Sequence, residues 1–525
     1  MTREHPFHMP QIIVQRLYER PLTVSPRTTA SPPELFRDAA LSFVLRRMIQ
    51  SKEFPKHTCD LVYAAYRLAV MYERIAVISE RVDKFSDLHE FENARPDASE
   101  TLLKDASETW LKQDCVVASE ELIDKARVIT IEALRKKGRL EMMMALFKDH
   151  VVTSKTKLKK DGLDAREIKP TNVRPVVWTA TIPLREDCQY DANQIPFVDH
   201  FGATFTTNVD GISSPKIVTC NSTDGKAYKQ VVKPGNVLPD VAVMRLMQFF
   251  NTSPLRANPF AGLFRTYIVH AIAHIVGVLE FVGGAEAIKE RALENDATYA
   301  TMAQWNHTRD VADTATRLQI IAQAPVTLPQ WFLRTFPDPY AWYQSRLVFT
   351  RTLAASSMLC LLIGLGDRHC ANVMLDTTSG AVVNIDFGIV FDCNCAYQSR
   401  DEAVPFRLTR NLVAALGPSG TGGLFAVACA ETLEVRHPTT SRQHKMHRVW
   451  VVCAPAPMRD PATPPGAPPL DPTVAEEGVR CVKERFQKYV PPQVPITMDK
   501  VAELVAVATD PNKLAAMPTP WAPWF

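Results

Sequence analysis

The sequence predicts an α+β protein in which a helical stretch precedes a small β-rich lobe and a larger helical lobe. Three observations predict it. Apolar residues recur at helical spacing up to about residue 165. Short β-type runs separated by turn residues begin near Pro170. Helical patterning returns from Glu286 and includes a strongly apolar segment at 348–365.

In the first stretch, Leu35, Phe36, Ala39, Phe43, Val44 and Met48 share one helical face. Leu61, Leu68, Met71, Ile75 and Ile78 mark a second helix, and Val117, Leu122, Ala126 and Ile129 a later one. Each helix would bury one face on a neighbour, as in a bundle or a piece of solenoid, and no repeat period is evident. The β-type runs are 175–182, 203–207, 216–220, 228–232, 266–269 and 275–281, with a helix at 241–251 among them. Asp210-Gly211 and Asp224-Gly225 read as turns. Eight prolines between Ala454 and Thr473 favour extended chain over packed structure in 438–475. Beyond it, Val501, Leu504, Val505 and Ala508 form a helical face, followed by Trp521, Trp524 and Phe525.

The chain has 525 residues, 46% hydrophobic and 22% charged, an ordinary globular balance. A net charge of +3 is too mild to argue for nucleic acid by bulk electrostatics. The basic run KTKLKK at 155–160 reads as solvated linker, and no direct nucleic-acid site is visible. The 11 cysteines form no C-x-x-C pair, and Cys393 and Cys395 lack a second pair at zinc spacing. Free thiols in a reducing compartment are expected. No signal peptide is read at the start, and the longest apolar run, around 358–365, reads as a short core segment. No membrane span is expected.

The chemistry-bearing constellation is GLGDRHCANVML at 364–375 followed by NIDFG at 384–388. Asp367 and Asn372 have the D-x-x-x-x-N spacing that separates the base from the metal-binding Asn in a protein-kinase catalytic loop. Asp386-Phe387-Gly388 then reads as a DFG metal motif. Two short strands, 373–375 and 381–385, turning at Ser379-Gly380, would bring Asn372 and Asp386 to one metal site. Magnesium takes oxygen ligands together with substrate phosphates, and this pair supplies such oxygens. Either fragment alone is weak; their combination at hairpin separation points to phosphoryl transfer.

The loop runs Asp-Arg-His, the reverse of the usual His-Arg-Asp, and in this it resembles the phosphatidylinositol-3-kinase-related protein kinases. The resemblance covers roughly 175–437 and 497–525. HPFH at 5–8, GISSPKIVTC at 211–220, GVLEF at 277–281 and VPFRLTR at 404–410 are most like the ATM checkpoint kinase branch. WFLRTFPDP at 331–339 and LGPSGTGG at 416–423 are more like the ATR branch. The resemblance implies a two-lobed PI3/PI4-kinase-like catalytic domain between a FAT-type helical segment and a FATC-type tail. The corresponding divisions are 1–165 (FAT-like), 166–282 (small lobe and hinge), 283–437 (large lobe), 438–475 (linker or insertion) and 476–525 (FATC-like).

By the same resemblance, Asp367 orients or deprotonates the substrate hydroxyl, His369 stabilises charge on the transferring phosphate, and Arg368 supports the loop. Asn372 and Asp386 hold Mg2+, with Mn2+ as an alternative. Lys233, ending DGKAYKQVVK at 224–233, contacts the phosphates of ATP, and the loop with Gly211 and Ser213 covers them. Glu280, Phe281 and Val282 form the hinge that reads adenine, Phe281 standing where the family often has Trp. Met374 and Ile385 join the nucleotide-contacting set. Three departures stand out. The acidic D-L-R-Q-D stretch reads Val237-Leu238-Pro239-Asp240-Val241 here, so Lys233 loses its usual partner or Asp240 substitutes from a shifted position. Asn384 replaces a usual His, and the proline-rich stretch stands in place of helices after His437.

The function expected is ATP-dependent serine/threonine protein phosphorylation of the DNA-damage checkpoint type, in the nucleus with the cytoplasm as alternative. Substrates with Ser/Thr-Gln sites, DNA-damage sensor partners and a homodimer are implied by the resemblance. A phosphatidylinositol kinase is the runner-up, although 391–403 lacks the basic cluster that inositol phosphates would need. A catalytically weakened scaffold is the third reading, drawn from the altered acidic stretch.

Overall fold

The computed structural model describes residues 7–19, parts of 58–76, 173–187, 189–202, 205–207, 215–252, 262–272, 276–288, 314–391, 402–433, 472–490, 496–518 and 521–524. The helices expected near 35–48 and 117–129, the Asp210-Gly211 turn, Gly211, Ser213, Phe525 and most of the proline-rich segment lie outside these. The chain forms two compact units, Met1–Val237 with Ile268–Phe281, and Leu238–Tyr267 with Val282–Phe525.

The first unit is built on an antiparallel sheet. Its strands are β1 (Val198–Phe201), β2 (Thr206–Thr207), β3 (Lys216–Ser222), β4 (Ala227–Pro234), β5 (Val269–Ile272) and β6 (Val276–Glu280). They lie in the order β1-β3-β4-β6-β5, with β2 alongside β3. Period-two alternation turns Val218 and Cys220 of β3, Val232 of β4 and Val276 and Val278 of β6 into one core. Val14 of helix α1 (Met9–Glu19), Trp178 and Tyr72 complete it. Tyr72 belongs to the helix expected from Leu61, Leu68 and Ile75, all three of them helical and buried. Its hydroxyl donates to Gln230 Oε1 at 2.6 Å, and Gln230 Nε2 donates to Thr179 at 2.9 Å. That chain gives the buried amide of β4 the partners it needs.

The Asp224-Gly225 turn closes the β3–β4 hairpin as expected, with Gly225 at φ 79°. The 175–182 run differs from expectation. It makes an isolated bridge, Val176 to Phe197, and then turns. Val176, Val177, Trp178 and Thr179 are all buried in succession, which a strand exposing alternate residues cannot arrange.

The second unit carries helices α2 (Leu238–Thr252), α3 (Thr314–Gln323), α4 (Leu328–Thr335), α5 (Pro339–Ile363), α6 (Arg410–Ala415), α7 (Leu424–Leu433), α8 (Pro472–Tyr489), α9 (Met498–Thr509) and α10 (Pro511–Ala516). A small antiparallel sheet, β7 (Ala285–Ala287), β8 (Val373–Asp376) and β9 (Val382–Asn384), lies in the order β7-β8-β9. The β8–β9 hairpin matches the two strands read around Ser379-Gly380. Gly380 has φ 76°, and a Cβ there would meet Ser345 O at 2.8 Å and the Phe332 ring at 2.9 Å. Glycine is therefore required both by the turn and by the approach of α5.

Helix α5 organises this unit. Asp338 caps its start by accepting from the Ala341 amide at 2.8 Å, and Pro339 occupies the first turn. It packs against α7, α8, α4 and β9. The sequence predicts an apolar helical segment at 348–365 whose longest apolar run, 358–365, belongs to the core. The helix is in fact 25 residues long and apolar enough, by length and composition, to cross a membrane. In the structure 78% of its apolar window is buried within the protein, as in the central helix of a packed core. Polar residues along it, such as Thr350 and Thr352, return their hydroxyls to carbonyls one turn back, at 2.8 Å each. That hides their polarity from the core.

Gly277 of β6 pairs with Lys233 of β4, and a Cβ at Gly277 would fall 2.3 and 2.5 Å from the Val237 methyls. Valine is stiff, so relief must come from the backbone. Gly277→Ala is expected to destabilise the chain by about 1–3 kcal/mol. The check is a lowered urea midpoint at unchanged slope; an unchanged midpoint would show that Val237 swings aside at no cost.

Candidate active site

The loop that carries the DRH sequence begins where α5 stops. Gly364, at φ 60°, ends the helix in the left-handed conformation, its amide donating to Cys360 O. Gly366 then donates its amide to Ile389 O at 3.0 Å, which lays the loop beside the residues after the DFG motif. Asp367 and Asp386 both hold left-handed backbones, at φ 54° and 57°. For a non-glycine residue this costs about 1 kcal/mol or more, although aspartate tolerates it better than most.

Arg368 joins the two motifs. Its side chain is almost wholly buried. Nε donates to Gly366 O at 2.9 Å, Nη1 to Ile385 O at 2.8 Å, and Nη2 to Asp386 O. The guanidinium also lies over the Phe387 ring, 5.6 Å from its centre. A second tie is Asn372, whose Nδ2 donates to Asp367 O at 2.9 Å while its own carbonyl accepts from the Ile385 amide at 3.0 Å. The structure thus brings together Asp367, Arg368, Asn372, Ile385 and Asp386. Met374 sits on β8 opposite Val383.

His369 is oriented by its own loop. The Ala371 amide donates to Nδ1 at 3.2 Å, so Nδ1 is the acceptor and Nε2 carries the ring proton. Nε2 lies 3.9 Å from Asp367 Oδ2. Burial depresses the imidazole pKa below its ordinary value; the Asp367 carboxylate opposes that and the nearby Arg368 charge adds to it. At neutral pH the ring is therefore an uncharged Nε2–H donor.

Several side chains that sequence reasoning passed over or placed loosely complete the surroundings. Asp240 of α2 is fully buried, and its Oδ1 accepts from the Phe387 amide at 3.3 Å, so it touches the DFG backbone. Tyr267 is buried with its ring stacked on Phe387 at 6.5 Å. Burial and then the facing carboxylates of Asp240 and Asp386 push its phenol well above the usual range. Glu402 accepts the amide of Asp367 at 2.5 Å. Arg407, fully buried, donates from Nη1 to Arg368 O at 3.2 Å and to Trp521 O at 2.7 Å, and from Nη2 to Ala522 O at 2.9 Å. Burial lowers its pKa to about 10. Trp521, Ala522 and Trp524 are buried, and the Arg407 guanidinium stacks on the Trp521 ring at 4.4 Å.

The donor set suits a magnesium ion. Asn372 presents a side-chain oxygen once its nitrogen is tied to Asp367 O, and Asp386 adds a carboxylate. Among the described residues no cluster of three or more His, Cys, Asp or Glu forms. Zinc-like cages are built from such clusters, whereas magnesium takes one or two protein oxygens and completes its shell from phosphates and water.

In the first unit, Lys233 lies on β4 in register with Gly277. The Glu280 amide donates to Ile268 O at 2.8 Å, and its carboxylate accepts the Ile268 amide at 3.0 Å. Phe281 donates its amide to Lys229 O at 3.1 Å, with the Lys229 ammonium over its ring at 5.5 Å. Val282 begins the second of the two stretches that make up the second unit.

The His369 assignment is checked by following its ring nitrogens by NMR across pH. The midpoint is expected below the ordinary 6.5, with the proton on Nε2 above it. Because the folded value is depressed, the stabilisation is present above that ordinary value and is lost as pH falls below it. A midpoint above 6.5 would show that Asp367 outweighs burial.

Residues 230–443 match the family model described as phosphatidylinositol 3- and 4-kinase. Over 295 residues the chain is 33% identical to "Serine/threonine-protein kinase ATM" of Arabidopsis thaliana, covering 52% of this chain and 7% of that protein. Over 279 residues it is 34% identical to "Serine/threonine-protein kinase tel1" of Neurospora crassa, covering 50% and 9%. It is 28% identical over 334 residues to "Protein kinase rad3" of Schizosaccharomyces pombe, covering 60% and 14%. The chain thus spans a small part of the length of these curated relatives. The solved structure titled "FAT and kinase domain of CtTel1" superposes with a TM-score of 0.54 at 19% identity, covering 94% of this chain and 42% of that one, which speaks to fold. The chain is thus similar over residues 230–443 to the phosphatidylinositol 3- and 4-kinase family, and over about half its length to the curated ATM and Tel1 kinases.

Proposed function

We propose that this chain is an ATP-dependent serine/threonine protein kinase of the DNA-damage checkpoint type. The observation that carries the reading is the junction of catalytic loop and DFG motif, where Arg368 and Asn372 hold Asp367 and Asp386 in one backbone frame. Phosphoryl transfer asks a protein mainly for positioning and charge stabilisation, and that frame provides positioning. The relatives' names add the serine/threonine and protein-substrate part.

Asp367 accepts or orients the proton of the substrate hydroxyl, and its carboxylate, on a side chain 42% exposed, is open to one. His369 offers Nε2–H to the transferring phosphate as a neutral donor. Asn372 and Asp386 hold magnesium, which when bound neutralises phosphate charge. Lys233 contacts the phosphates, with Gly211 and Ser213 in the loop above them. Glu280, Phe281 and Val282 form the hinge, and Met374 and Ile385 line the base. The Glu280 and Phe281 amides are already spent on Ile268 O and Lys229 O, so recognition of adenine falls to the remaining backbone groups of the hinge.

The finer assignments belong to the same proposal: two catalytic lobes, a FAT-like segment before them, a FATC-like unit at 476–525, nuclear residence, and Ser/Thr-Gln substrates. Homodimerisation is proposed on the likeness to the structure titled "Complete CtTel1 dimer with C2 symmetry", with a TM-score of 0.54 at 18% identity. A lipid kinase is the competing reading because the matching family model bears that name. The single Arg400 in 392–402, beside Asp392, Asp401 and Glu402, argues against inositol phosphates.

Full-length chain with ATP and magnesium, offered both a Ser-Gln peptide and phosphatidylinositol vesicles, is expected to label the peptide. Asp386→Ala should lower that turnover by about a thousandfold or more with the fold intact. Labelled lipid with inert peptide would overturn the choice of substrate, and near-normal turnover by the variant would remove Asp386 from the metal site.

A further inference from the structure

Glu402, a half-buried acid, has no part in the mechanism above. Glu402 lies beyond the DFG motif in sequence, yet its carboxylate reaches back to the catalytic loop and accepts the Asp367 amide at 2.5 Å. That amide belongs to a residue held at a left-handed φ of 54°, uncommon for a non-glycine residue though better tolerated by aspartate than by most. The loop is shaped to admit the carboxylate. A Cβ built on Gly366 would sit 3.0 Å from Glu402 Oε1 and 3.0 Å from Ile389 Cγ2, so glycine leaves the room that the acid fills. Further along the same segment, Val404 and Phe406 are buried, and Arg407, five residues on, donates to Arg368 O. The segment therefore grips consecutive loop residues, one by its amide and the next by its carbonyl.

We propose that Glu402 is a positioning residue that holds Asp367 in its working backbone conformation through this hydrogen bond. The proposal rests on the kinase reading above for its activity arm. Its physical basis is that an ionised acceptor on a backbone N–H makes a short, strong bond, and a strained φ persists where surroundings over-determine it. Burial raises the Glu402 pKa, while the Asp367 amide and Arg368 pull it back, so the bond also compensates the carboxylate for lost water. A glutamine in its place keeps an acceptor oxygen at the same reach. An alanine removes it.

The test uses the full chain with Glu402→Gln and Glu402→Ala. Hydrogen exchange of the Asp367 amide reads the bond directly and needs no activity. Exchange is expected to quicken by about tenfold or more in Glu402→Ala and to stay near the wild-type rate in Glu402→Gln. With a Ser-Gln peptide, Glu402→Ala should lose about 10- to 100-fold in kcat with KM for ATP within about twofold, and Glu402→Gln should recover most of the loss. A structural role alone would depress both variants through folding, which their melting temperatures report, and would not separate kcat from KM. Wild-type exchange and kcat in Glu402→Ala, or equal loss in both variants, would overturn the proposal. A wild-type chain that transfers no phosphate would count against the kinase reading, and the exchange result would still decide the role of Glu402.

Discussion

The second unit depends on how one buried guanidinium is solvated. Arg368 points into the protein, where its charge would be costly if its donors were unmet. The carbonyls of Gly366, Ile385 and Asp386 meet them. Because the fork is planar and rigid, it can grip the loop before it and the strand end after β9 together, which a lysine could not. Catalytic loop and DFG backbone are thereby one body. The left-handed backbones of Asp367 and Asp386 sit on either side of that staple, held by surroundings that leave them little choice.

The same device recurs at lower stakes. Arg410 donates to the last carbonyls of α3 at Ile321, 2.7 Å away, and at Ala322. Arg346 donates to Ala415 O and Leu416 O at the end of α6, and Arg317 to Ala515 O and Met517 O at the end of α10. Helix C-termini leave carbonyls without intrahelical donors and carry partial negative charge, so a cation there satisfies both needs. Arg407 extends the theme from α-helix ends to the terminal residues, joining the Trp521 and Ala522 carbonyls to that of Arg368. The apolar end of the chain is thus tied to the loop by polar bonds as well as by burial.

Much of this was legible in the sequence because it is local. The β8–β9 hairpin, its turn glycine, β3, β4 and the helix at 238–252 follow from periodicity and turn chemistry within a few residues. The DRH and DFG fragments were readable for the same reason. What could not be read depends on residues far apart. Glu402 reaches Asp367 across 35 positions, and Asp240 reaches Phe387 across 147. The sequence offers Asp240 as a partner for Lys233 and carries no signal that it would touch the DFG amide. Tyr267 gave no signal beyond being one aromatic among many. The 175–182 run misled because apolar β-branched residues look alike whether one face or every side is buried. In helix α5 serines and threonines interrupt the hydropathy of the sequence, although back-bonding hides Thr350 and Thr352 in the structure.

The chain order of the first sheet bears on how this protein is made. β6 lies between β4 and β5, yet the helix α2 and the rest of 238–267 emerge from the ribosome before it, and those residues belong to the other unit. Until residue 280 is out, β4 presents an open edge whose amides and carbonyls have no strand beside them on that side. An N-terminal piece ending before β6 would carry a bare edge and an unfinished core, the kind of surface that chaperones recognise and that aggregates if they do not. Nascent chains paused in that window, rather than the finished protein, are the vulnerable species during biosynthesis.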